Sequence, residues 1–383
     1  MDPNTSVWMK DEHLLLSDSA RRFLAAELTP HIGRWREAGV VEMEFWRKTG
    51  EAGFLGASIP EEYGGTAGTN TLDAVILYEH ARTGDTSWGF GVHNIVTHYI
   101  VGYGTDEQKA RWLPKLASGE WVGAIAMTEP GTGSDLQAVK TTARAEGDEL
   151  IIDGSKTFIT NGQNAELVCV VAKTGPGEGA KGVSLVFLET EGAEGFTRGR
   201  NLDKLGLKGQ DTSELFFDGV RVPRENILGG EPGQGFYQLM KQLPWERLII
   251  GIMAVGAADY AVEQTLTYAQ ERQAFGQRIM DFQNTRFKLA EAKTKLEVTR
   301  AFVDQCIARH DRGQLDAVTA SMAKWWGAQV QNEIMDECLQ LFGGYGFMAE
   351  FPISHMYADA RVQKIYGGTN EIMKELIARD LDR

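Results

Sequence analysis

Residues 150–162 run Leu150-Ile151-Ile152-Asp153-Gly154-Ser155-Lys156-Thr157-Phe158-Ile159-Thr160-Asn161-Gly162, two apolar runs with Asp-Gly between them. Asp-Gly between apolar runs is the strongest short hairpin signal, because both residues tolerate the positive φ of a tight turn. The pattern continues outward. Leu167 to Val171 and Val183 to Phe187 are further β-branched runs, and Leu215 to Phe217 meets a second Asp-Gly at Asp218-Gly219. From about Trp121 to about Pro223 this texture predicts an antiparallel β domain.

Both flanks read as helical. Thr105 with Gln108 has the spacing of a capping box, opening a helix that carries Ala110, Trp112 and Leu113. Tyr63-Gly64-Gly65 and Gly68 mark a loop between helical segments. After Gly235 the helical period returns: Leu289, Ala292, Leu296, Val303 and Ile307 share one face of a long helix. Later helices carry Met322 to Val330 and Ile372 to Ala378. The expected fold is α+β and multi-domain, with helices over 1–121, β structure over 122–231 and helices over 232–383. No βαβ alternation appears, so a nucleotide here would not sit on a Rossmann unit.

With 383 residues, 43% hydrophobic and 24% charged, the chain is long enough for two or three folded domains. A formal charge of −14 argues against nucleic acid or an anionic membrane as the main partner. Three cysteines without CxxC spacing, and seven histidines without HxxxH or HExxH, argue for reduced thiols and against a metal site. The start, MDPNTSVWMKDEH, carries no signal-peptide core and no arginine-rich presequence. Leu248 to Val262 is interrupted by Asp259 and too short to span a bilayer. These features predict no membrane span and a bacterial cytoplasmic location, or a mitochondrial matrix location if a presequence has been removed.

Six segments could carry chemistry, and each has a plainer alternative. The backbone of Met127-Thr128-Glu129-Pro130-Gly131-Thr132-Gly133-Ser134-Asp135 could approach a ligand closely, or simply end a strand in a turn. Phe158 and Thr160, two apart on an extended strand, could present a ring and a hydroxyl to a flat heterocycle, or belong to an ordinary half-buried strand. Arg272 in RQAFG could hold a phosphate bidentately or be a solvated surface residue. Gln340-Leu341-Phe342-Gly343-Gly344 reads equally as a helix C-cap. Ile365-Tyr366-Gly367-Gly368-Thr369-Asn370-Glu371 opens the last helix, whose free N–H groups favour an oxyanion, while Thr369 also suits a cap. In Leu243-Pro244-Trp245-Glu246-Arg247-Leu248, a carboxylate stands among apolar residues. It is either functional or paired with Arg247, although adjacent helical positions do not face each other. Pro244 is expected to start or kink the helix there.

In order and spacing these segments resemble the acyl-CoA dehydrogenase family over essentially the whole chain. The specific matches are TEPGTGSD at 128–135, FITNG at 158–162, RQAFG at 272–276, QLFGGYG at 340–346 and IYGGTNEI at 365–372. The resemblance implies a helical domain, a β-barrel-like middle domain and a C-terminal four-helix bundle enclosing FAD, in homotetramers that share the flavin between subunits. It implies that Ile125, Met127, Thr128, Gly133, Ser134, Phe158, Ile159 and Thr160 hold the flavin ring and nearby phosphate. Arg272, Phe275, Gln283, Gln340, Gly343 and Gly344 would serve the ADP end, with Thr369, Asn370 and Glu371 also touching the cofactor. Ser134, Trp245, Arg247, Tyr366, Gly367 and Gly368 would meet the acyl-CoA substrate.

Many members carry a catalytic glutamate where this chain has Gly367. Members without it place the base just before an arginine on the first helix of the C-terminal domain, which Glu246-Arg247 matches. The resemblance thus implies Glu246 as base and the Gly367 N–H as a donor to the thioester carbonyl. The reaction implied is oxidation of a medium- or long-chain or branched acyl-CoA to the trans-2-enoyl-CoA, as in fatty acid β-oxidation, with electrons passed to an electron-transfer flavoprotein. PWERL and YGGTNEIMKELIAR look closest to the long-chain branch, with the isovaleryl type second. An oxygen-using flavoenzyme on the same scaffold is the other alternative.

Overall fold

The computed structural model describes residues 6–175 and 179–382. The chain opens with six helices, α1 (Asp11–Glu27), α2 (Ile32–Ala38), α3 (Met43–Glu51), α4 (Asn70–Ala81), α5 (Phe90–Tyr103) and α6 (Asp106–Ala117). Thr105 caps α6 through the capping box with Gln108. Then come strands β1 (Gly123–Ala126), β2 (Thr142–Glu146), β3 (Glu149–Thr160), β4 (Leu167–Lys173), β5 (Val183–Glu189), β6 (Phe196–Asn201) and β7 (Thr212–Pro223). The C-terminal part holds α7 (Gly235–Glu271), the short hairpin β8 (Gln273–Ala274) and β9 (Gln277–Arg278), α8 (Gln283–Asp311), α9 (Ala317–Phe342), α10 (Pro352–Ala360) and α11 (Asn370–Leu381). The predicted succession of helices, sheet and helices is what forms.

Two sequence readings need correction. Neither Asp-Gly makes a hairpin turn. Asp153-Gly154 lies inside β3 and Asp218-Gly219 inside β7, and the two strands pair antiparallel along their length. The dipeptides face each other, and the Asp153 carboxylate accepts the Gly219 N–H at 2.9 Å. The register slips there between Ile152 and Gly154, a bulge in place of a turn. Gly154 is needed because a side chain would overlap Thr141. The turn between β2 and β3 is instead Gly147-Asp148, between the paired Glu146 and Glu149. Nor is the sheet wholly antiparallel: β1 runs parallel to β4, in the order β1-β4-β2-β3-β7-β6 with β5 also on β4.

Pro244, expected to start or kink the helix, lies inside α7 and does not start it. Its ring nitrogen leaves the Met240 carbonyl without the usual helical donor. Asp259, the break in the apolar stretch, accepts from the Tyr78 hydroxyl at 2.6 Å and pairs with Arg300 at 2.8 Å. Among the described residues no helix is long and apolar enough to cross a membrane.

The two helical parts share one core, in which Trp35, Trp46 and Trp88 join Leu248, Ile249, Ile252 and Val255 of α7. A second core packs α5 and α6 on one face of the sheet, and a third fills the other face. The end of β3, the loop after β1 and the turn before α11 thereby meet at one place.

Candidate active site

That meeting place is a cavity of about 560 Å³. Thr128, Gly133 and Ser134 line it from the loop after β1, and Phe158 and Thr160 from the end of β3. Leu205, Leu207 and Gln210 close another side, facing Ile365, Tyr366, Gly367, Gly368 and Thr369. Phe158 is 67% exposed and has φ +60 within a second β3 bulge, between Lys156 and Ile159. Phe158 and Thr160 thus share the cavity, but strain at a bulge as well as strand pleating puts them there.

The loop after β1 is held from beneath. Lys156, fully buried, donates to the Met127 carbonyl at 3.0 Å, to Glu129 Oε1 at 2.9 Å and to the Val171 carbonyl at 2.7 Å. Glu129 also accepts the Lys140 and Thr141 N–H groups at 2.7 and 2.9 Å. Burial alone would raise this carboxyl, but its bonds from Thr141, Lys140 and Lys156 hold it at about 2. Thr157 N–H donates to the Thr128 carbonyl, tying the loop to β3.

Across the cavity, Gly367 and Gly368 have φ of +61 and +87, a conformation that glycine takes without strain. The Tyr366 hydroxyl donates to Gln363 Oε1 at 2.9 Å, and Thr369 caps α11 by accepting the Ile372 N–H. A Cβ on Gly367 would overlap Cδ1 of Ile250. Ile250 stands one helical turn after Glu246 on α7, so both lie on the same face.

Glu246 is 8% exposed and does not line the cavity itself. Its Oε1 accepts the Tyr99 hydroxyl at 2.6 Å. Burial pushes its pKa up to about 7, opposed by that hydrogen bond and by Arg247. Arg247 makes its hydrogen bonds elsewhere, to the Ala317 carbonyl at 3.3 Å and Ser321 Oγ at 3.2 Å. Among the described residues the two form no ion pair. Trp245 is stacked between His98 and His310, with ring centroids 5.3 and 4.8 Å away.

A second depression, of about 880 Å³, gathers Arg272, Phe275, Gln340, Gly343 and Gly344 with Tyr268, Phe282, Tyr345 and Met348. Phe275 is 97% exposed, and the Arg272 guanidinium lies 5.8 Å from the Tyr345 ring centre. Gln283 does not line it, although Asn284 and Thr285 do. Several other predicted residues also lie off both cavities. Ile125 and Met127 pack on the α5–α6 core, and Ile159 is buried within the sheet. Asn370 is buried and Glu371 is exposed.

Sequence reading missed Tyr99, Ile250, Lys156 and Lys324. Lys324 carried one signal, as the single charge in the apolar run from Ala320 to Val330. Tyr99 carried none, because only the packing of α5 on α7 brings it to Glu246.

Residues 10–120, 124–220 and 233–381 match family models described as acyl-CoA dehydrogenase N-terminal, middle and C-terminal domains. The long-chain specific acyl-CoA dehydrogenase of Mus musculus is 49% identical over 97% of this chain and 86% of its own. A solved acyl-CoA dehydrogenase from Geobacillus kaustophilus is 45% identical, with a TM-score of 0.96 over 99% and 100% of the two chains. A structure described as the electron transferring flavoprotein of Acidaminococcus fermentans is 34% identical, with a TM-score of 0.94 over 100% of both.

Proposed function

The chain belongs to the acyl-CoA dehydrogenase family, and from that premise we propose that it oxidises long-chain acyl-CoA thioesters to trans-2-enoyl-CoA, with Glu246 as the base. One observation carries the reading. The cavity joins the TEPGTGSD loop and Phe158–Thr160 to the 366–369 turn, and Gly367 of that turn rests on Ile250, one turn from Glu246.

The residues fit FAD. Phe158 offers an exposed ring face beside the hydroxyls of Thr128, Ser134 and Thr160. Space for a Cβ on Gly131 or Gly133 is open, so the backbone there is accessible to a phosphate or ring edge. When bound, FAD would accept the β-hydrogen as hydride, and its electrons would pass to an electron-transfer flavoprotein. The second depression, with its exposed Phe275 and Arg272, suits the ADP end of a flavin shared between subunits of a homotetramer.

This chain's own residues supply the proton chemistry. Tyr99 occupies Glu246 Oε1, so Oε2 is the oxygen left to take the α-proton. A pKa of about 7 makes this carboxylate a far stronger base than a solvated one. The Gly367 N–H is the donor proposed for the thioester oxygen, where negative charge develops as the proton leaves. An acyl chain lying against Leu205, Leu207 and Ile365 would displace water from the cavity, which would strengthen both effects. An anaerobic titration with straight and branched acyl-CoAs, followed as flavin bleaching, tests the reading. Saturated straight long chains should bleach fastest, and no bleaching by any acyl-CoA would overturn it.

A further inference from the structure

Lys324 is fully buried in α9, yet no carboxylate accepts from it among the described residues. Its ammonium donates to the Gly368 carbonyl at 2.6 Å and to Asn370 Oδ1 at 3.2 Å. A buried cation satisfied only by neutral acceptors is costly, so the contact calls for a reason beyond stability. Burial pushes its pKa down to about 8, with Arg247 on α7 lowering it further and Glu371 on α11 raising it. The two acceptors flank Thr369, the cap of α11, and follow directly on Gly367.

Consecutive glycines leave 367–368 without side chains of their own to fix the peptide planes. Thr369 fixes the helix that follows, but not the peptide planes before it. We infer that Lys324 is the positioning residue of this turn, clamping the Gly368 carbonyl so that the Gly367 N–H points steadily at the thioester oxygen. The inference rests on the proposed role of Gly367 as donor. Lys324 touches neither thioester nor flavin, and acts through the turn.

The test uses the flavin-loaded enzyme and 3-thialauroyl-CoA, whose α-C–H is acidic enough to ionise without being oxidised. The enolate stacked on oxidised flavin absorbs at long wavelength, so a pH titration of that band reads the acidity of the bound α-proton. Lys324→Met should move the midpoint up by about one pH unit, a tenfold loss of acidity. Flavin content should stay at wild-type level, and affinity for lauroyl-CoA within about threefold. An unchanged midpoint in flavin-loaded Lys324→Met would overturn the inference.

Where Lys324→Met does not fold, Lys324→Gln, which keeps a neutral amide donor, should shift the midpoint less but in the same direction. No shift there overturns the inference equally. Glu246→Gln separates the two claims. A band surviving in that variant removes the base assignment, while the comparison of Lys324→Met with wild type still decides the role of Lys324.

Discussion

The Tyr99 hydroxyl donates a 2.6 Å hydrogen bond to Oε1 of Glu246, joining α5 to the most deeply buried carboxylate of α7. A hydrogen bond to the ionised form lowers a carboxyl pKa, whereas burial raises it, and here burial is the larger effect. The Glu246 carboxyl is therefore protonated at mildly acidic pH. The value of kcat/KM should rise about tenfold per pH unit below about 7 and level off above it. Tyr99→Phe removes the bond that favours the carboxylate. Its pH profile should shift upward by about one to two units, the size of a charged hydrogen bond. A profile that stays in place would show that Tyr99 does not touch the working base.

Stability should respond to the same group. A folded-state pKa raised from 4.5 to about 7 gives a contribution that is fully present below 4.5 and lost as pH rises through 7. Glu246→Gln is neutral at every pH and escapes that loss. Relative to wild type, its Tm should therefore be higher at pH 9 than at pH 5, by a few degrees. A gap that does not change with pH would place the carboxylate in a more solvated setting than this one.

Gly367 meets two constraints at once, φ of +61 and contact with Ile250. Gly367→Ala should cost about 1–2 kcal/mol from the left-handed backbone alone, measured by urea unfolding. Moving the base to this position should fail on its own: Glu246→Gln with Gly367→Glu should stay inactive until Ile250→Ala opens space. Recovery without trimming Ile250 would mean that the turn is free to rearrange.

The buried Lys156–Glu129 pair should control flavin retention. Removing one partner leaves a desolvated charge, which typically costs about 3–5 kcal/mol. Lys156→Met should lose FAD on gel filtration under conditions where wild type keeps it. The wild-type contribution from Glu129 is present above 4.5 and lost as pH falls toward about 2, so release by acid should begin only well below 4.5. Full flavin content in Lys156→Met would limit this pair to a packing role.

Much of the fold was legible because hydrophobic period is local. The α8 face from Leu289 to Ile307 and the Thr105 cap both follow from residues a few positions apart. The Asp-Gly readings failed because the same backbone freedom serves a turn or a bulge. Only the pairing of β3 with β7 decides between them. In the candidate site, the motifs at 128–134 and 158–160 and the turn at 366–369 were legible as segments and do converge. The residues that hold them were not legible. Lys156 lay two residues before the FITNG motif and Lys324 in a helix, but their acceptors are 15 to 46 positions away in sequence. Tyr99 and Glu246 are separated by 147.

Rapid mixing of flavin-loaded wild type and Glu246→Gln with lauroyl-CoA without oxygen tests the proposed role of Glu246 most directly. The variant should bind the thioester and keep its flavin, yet bleach at least about a hundredfold more slowly, the low end for losing a general base. Bleaching at the wild-type rate would contradict the account and require another residue to take the α-proton.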